Sequence, residues 1–163
     1  MEVKMRTAEQ QLKDWSETFA NPPKLSQYDS WLTSLLAVVF LAMAILQVAS
    51  FNDFKSALGG LGIANSPETW AFILVVAEVW AALGFLKVRL HGLIRFFSGV
   101  FAVFAAGFWF VESLQVVAGT TAGQLANNGF FGKYLTQQPG WWTVLEASVL
   151  LFWVVYSLRL SKR

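Results

Sequence analysis

The chain has 163 residues, 56% of them hydrophobic and only 13% charged, with a mean hydropathy of +0.51. Soluble domains carry about a quarter charged residues, so this composition excludes an ordinary soluble protein and points to a single membrane-embedded domain. The net charge of +2 is small, the absence of cysteine excludes disulfides, thiolate metal sites and dithiol redox chemistry in this subunit, and the lone histidine, His91, excludes a bis-histidine haem.

Residues 1–30 read as a cytoplasmic amphipathic helix and linker. Met5, Ala8, Leu12, Trp15 and Phe19 recur at spacings of three and four, which stacks them on one helical face, and Asn21-Pro22-Pro23 stops the helix. Such a helix lies in the membrane interface or docks a partner subunit. The mostly polar character of this stretch does not fit a classical signal peptide.

Residues 31–158 form the membrane domain. Crossing about 30 Å of hydrocarbon takes roughly 20 apolar residues, and four segments qualify: Trp31 to Ser50, Thr69 to Leu86, Gly92 to Ala118 and Trp141 to Leu158. In lipid each span must satisfy its own backbone, so all four are predicted helices and the fold class is an all-α integral membrane four-helix bundle. Between the first two spans, Phe54, Leu58 and Leu61 predict a short helix on the membrane surface. Gly129, Gly132 and Pro139-Gly140 punctuate the long loop before the last span. Residues 159–163 are a basic tail.

Charge sets the expected orientation. Lys4, Arg6, Lys13 and Lys24 precede span one, Lys87, Arg89 and Arg95 surround the turn between spans two and three, and Arg159, Lys162 and Arg163 follow span four. Of the 12 basic residues, only Lys55 and Lys133 then lie on the opposite side. The positive-inside rule places both termini in the cytoplasm and the two longer loops outside, in a multi-pass protein of a bacterial or archaeal plasma (inner) membrane.

Glu78, Glu112 and Glu146 are the acids within the spans, and all fall at the middle or in the outer half of the bilayer. Gln47 has a similar depth. Ser98, Ala102, Ala105, Trp109 and Glu112 share one helical face, as do Thr33, Ala37, Phe40, Ala44 and Gln47, while Glu78 shares its face with Ala71, Ala81 and Ala82. Small residues let helices approach closely in lipid, so these faces are expected to point inward. An ionised carboxylate at the bilayer centre costs roughly 2.5–3.5 kcal/mol. The acids are therefore expected either to hold helices together by hydrogen bonds or, with Gln47, to line an intramembrane polar pocket for a proton or ligand. No nucleophile has a histidine beside it, Gly59-Gly60-Leu61-Gly62 lacks the residues of a phosphate loop, and no catalytic residue, metal or cofactor is expected. Arg95-Phe96-Phe97 suits lipid headgroups better than nucleic acid.

Asn128-Gly129-Phe130-Phe131-Gly132, followed by Trp141-Trp142-Thr143-Val144-Leu145, resembles the Cys-Gly-Cys-Phe-Gly loop and last span of the methylamine utilisation (MauE) family within the DoxX-like four-helix membrane group. Phe51-Asn52-Asp53-Phe54 and Glu78 resemble that group's pattern as well. The resemblance implies, for that family, a role in forming or maturing disulfide-containing or redox proteins across the membrane. Asn128 and Phe130 stand where the family carries its cysteines, and the lysine near the end of span one is missing, so thiol chemistry is not expected here. What carries over is an accessory or scaffold subunit that packs against another membrane or exoplasmic protein, with Asn127, Asn128, Gly129, Phe130, Phe131 and Gly132 as expected loop contacts. A homo-oligomer is compatible with this reading. The alternative function is a small transporter or quinone-linked redox subunit using the intramembrane glutamates.

Overall fold

A computed structural model describes Gln10, Lys13 and residues 25–63, 65–86, 88–119, 127, 129–135 and 137–160. The expected amphipathic helix of residues 1–20, Asn128 and the last three residues of the basic tail lie outside these, apart from Gln10 and Lys13. Among the described residues there are no strands, and the elements in order are α1 (Gln27–Ala49), α2 (Phe51–Gly60), α3 (Pro67–Phe85), α4 (Gly92–Val117) and α5 (Trp141–Leu160). The long helices α1, α3, α4 and α5 are each long and apolar enough to cross a membrane.

Helix limits follow local chemistry. Helix α1 begins before the apolar run because the Ser26 hydroxyl oxygen accepts from the Asp29 backbone N–H at 3.1 Å, and Asp29 places an acid in the first turn. A side-chain cap and an acid at this end satisfy free N–H groups and complement the helix dipole. Pro67 opens α3, where its missing N–H and fixed φ are harmless. His91 is exposed and serves as the cap of α4, its Nδ1 accepting from the Leu93 N–H at 3.4 Å. Gly119, at φ +71°, ends α4 in the left-handed conformation that glycine adopts without strain.

In the bundle, α3 packs against both α1 and α4, α4 packs against α5, and α1 and α5 meet over a shorter length. The inward stripes are filled by small side chains: Ala37, Ala71, Ala81, Ala102, Ala105 and Ala147 are all fully buried. Outward positions carry Val38, Ile45, Phe72, Val103 and Phe152, which are exposed and suit contact with lipid tails. Helices α3 and α4 approach closely at Gly84, where an added Cβ would collide with the Ser98 Cβ of α4. Arg95 fastens the turn below it, donating to the Gly84 carbonyl at 3.4 Å and to the Val88 carbonyl at 2.7 Å.

Helix α2 forms where the Phe54 and Leu58 spacing predicts one, but it does not rest its apolar face on lipid. Phe54 and Leu58 are fully buried in the protein, and the Phe54 ring lies 6.2 Å from that of Trp109. Burial against a large indole, in addition to the bundle's own apolar ends, draws this helix inward.

Gly84→Val is expected to force α3 and α4 apart, at a cost of about 1–3 kcal/mol. Thermal unfolding in mild detergent should show a clearly lowered midpoint, and a midpoint equal to the parent's would rule out this contact.

Candidate functional site

The polar centre of the bundle is built on Glu78, midway along α3. Its carboxylate is completely buried, and Oε1 accepts two hydrogen bonds: from the Trp109 indole N–H of α4 at 3.0 Å and from the Gln47 amide of α1 at 3.1 Å. Three helices therefore converge on one oxygen. The Gln47 Nε2 also donates to the backbone carbonyl of Phe130 at 3.0 Å, across 83 residues of sequence, so the loop before α5 is tied to the same centre. Glu78 Oε2 and Gln47 Oε1 are buried without a partner among the described residues.

The loop is shaped to reach this point. Asn127 closes it on itself, its Nδ2 donating to the Gly132 carbonyl at 2.7 Å and its Oδ1 accepting from the Gly129 N–H at 3.2 Å. Gly129 and Gly132 have φ of +78° and +61°, a region that strains other residues. Gly132 has a second constraint, since a Cβ there would collide with the Ser50 hydroxyl and the Leu46 carbonyl. The Ser50 hydroxyl bridges the two elements, donating to the Leu46 carbonyl at 2.8 Å and accepting from the Lys133 N–H at 3.1 Å. These constraints press Phe130 into the bundle, 4% exposed, with its ring 5.0 Å from Trp109. An exposed ion pair between Lys133 and Asp53 at 3.6 Å adds little on its own.

Of the loop residues expected to contact a partner, those described are engaged by the protein itself. Asn127, Gly129, Phe130 and Gly132 hold the loop on the bundle, Phe131 is half-buried beside them, and the outward surface falls to Lys133, Tyr134 and Leu135.

The three glutamates line different spaces. Glu78 is enclosed by its hydrogen bonds. Glu112 borders a cavity of about 10 Å³ together with Trp109, Ser113 and Thr143, room for one water. Glu146 faces a cavity of about 310 Å³ between α1, α5 and the loop. The structure brings together Glu78 and Gln47 and does not gather the acids around a metal: among the described residues no group of three potential ligands is placed to hold one.

Residue patterning places Trp109 on an inward face without its bond to Glu78, and it does not single out Ser50 or the Phe130 carbonyl. Trp109 carries a legible signal, because an indole N–H on an inward stripe needs an acceptor and Glu78 is at matching depth. Comparison with family models, curated proteins and solved structures returns no match.

Gly132→Val is expected to lift the loop from the bundle. Hydrogen exchange should then accelerate at the amides of residues 130–133, and unchanged protection would show that the loop does not depend on this contact.

Proposed function

We propose that this protein is a non-enzymatic accessory or scaffold subunit of the DoxX/MauE-like type, holding a partner in the membrane or at its outer face. The observation that carries this reading is the use made of Glu78. The acid deepest in the bundle is engaged by Trp109 and Gln47, and through Gln47 it fixes the outer loop, so its chemistry serves architecture. The loop's outward residues Lys133, Tyr134 and Leu135 offer a charge, an aromatic ring and an aliphatic side chain to a partner. Aromatic side chains such as Tyr134 are enriched at protein interfaces. The resemblance to the MauE group favours a redox complex as the partner.

The charge distribution supports a plasma-membrane orientation with both termini cytoplasmic and the loop outside. A second reading, a small transporter or redox subunit, rests on Glu146, whose Oε2 lacks a partner beside the larger cavity.

Purification from native membranes in mild detergent is expected to recover the protein with a second polypeptide, and Tyr134→Ala with Leu135→Ala should weaken that association severalfold without lowering thermal stability. Recovery of a lone monodisperse monomer would contradict the scaffold reading. Glutamine replacement of Glu112 or Glu146 should leave the association intact; loss of a pH-dependent transport activity in a normally folded variant would favour the second reading.

A further inference from the structure

The cavity of about 310 Å³ is lined by α1, α5 and the loop before α5. Its walls include Val39 of α1, Phe130 and Phe131 of the loop, and Trp142, Glu146 and Trp153 of α5, with aliphatic side chains completing the lining. Four aromatic side chains and one carboxylate make an unusual combination for a surface against lipid. No lysine or arginine lines the cavity, and Glu146 Oε2 is buried without a hydrogen-bond partner among the described residues. Among the described residues, none that lines the cavity offers this carboxyl group a cationic partner.

We propose that this cavity binds a lipophilic organic cation, an ammonium group carried on an apolar body. The carboxylate complements the charge, aromatic rings of the lining can attract a cation through their quadrupoles, and the aliphatic walls accept the apolar substituents. A metal ion would find one carboxylate and hydrocarbon, too few oxygens for a hard cation. A neutral hydrophobe would leave the carboxylate unmatched. Trp153 adds a further recognition element. Its indole N–H is also buried without a partner among the described residues. Seven residues beyond Glu146, it returns to nearly the same helical face about 10 Å further along α5. It can donate to an oxygen of the same amphiphile, as the ester or phosphate of a lipid would supply. Two sources provide this chemistry: the amine-bearing headgroup of a phospholipid, and a free amphiphilic amine.

The test is a fluorescence titration of the purified full chain in neutral maltoside micelles, since Trp142 and Trp153 line the cavity and report an occupant. The probes are dodecyltrimethylammonium and the uncharged analogue in which carbon replaces nitrogen. The parent protein should bind the cation saturably and about tenfold more tightly than the analogue. E146Q should abolish that preference, and E146D should retain it. Trp142→Leu, at a side chain 62% exposed and thus tolerant of replacement, should reduce the preference even if E146Q fails to fold. Added phosphatidylethanolamine that raises the apparent Kd of the cation, when phosphatidylglycerol does not, identifies a lipid headgroup as the occupant. No competition by either assigns the site to a free amine. Equal affinity of the parent for cation and analogue, or a preference that survives in both E146Q and Trp142→Leu, would overturn the proposal.

Discussion

A carboxyl group enclosed by apolar helices must find hydrogen-bond donors inside the protein, and in this molecule that need organises the fold. Glu78 Oε1 takes one donor from α4 and one from α1, and the α1 donor reaches on to the loop carbonyl of Phe130. Without these bonds a buried polar group costs about 1–3 kcal/mol or more. In hydrocarbon, where helix association lacks the hydrophobic drive available in water, packing and interhelical hydrogen bonds set which helices pair and in what rotation. The alanine-rich stripes allow close approach, and Glu78 selects the register at which that approach satisfies every donor directed at it.

The loop extends the same logic outward. Its two positive-φ glycines, the Asn127 side chain and the Ser50 bridge hold the backbone so that one carbonyl enters the bundle and one phenyl ring covers Trp109. Trp109 stands at the junction: Phe54 of α2, Phe108 of its own helix and Phe130 of the loop surround its ring at 6.2, 5.3 and 5.0 Å. The end of the bundle that carries the loop is consequently a packed aromatic cap over a polar bond network. The cavity bordered by Glu146 shares Phe130 with that cap and is lined by α1, α5 and the loop.

Much of this arrangement is legible in the residues. The faces containing Thr33, Ala37, Phe40, Ala44 and Gln47, and Ser98, Ala102, Ala105 and Trp109, are buried as their spacing predicts, because helical periodicity fixes which side chains share a side. Depth along each span is equally plain, which is why Gln47 and Glu78 can be matched before any coordinates. Azimuth between helices is not: Glu78, Glu112 and Glu146 occupy similar depths, yet they border separate spaces, since local spacing carries no information about how one helix is rotated against the next. The direction of the loop was hidden for a related reason. Gly129 and Gly132 announce turns, but the contacts that aim them, Ser50 with Lys133 and Gln47 with Phe130, join residues 83 positions apart. Helix α2 shows the same limit, its helical spacing evident and its burial against Trp109 not.

The most direct test of this account is a double-mutant cycle between Glu78 and Trp109, using Glu78→Leu and Trp109→Phe singly and together, with unfolding free energies measured in detergent. A buried hydrogen bond to the carboxyl oxygen predicts a coupling energy of about 1–3 kcal/mol. Additivity of the two substitutions within about 0.3–0.5 kcal/mol would contradict it, and with it the claim that Glu78 holds the bundle together.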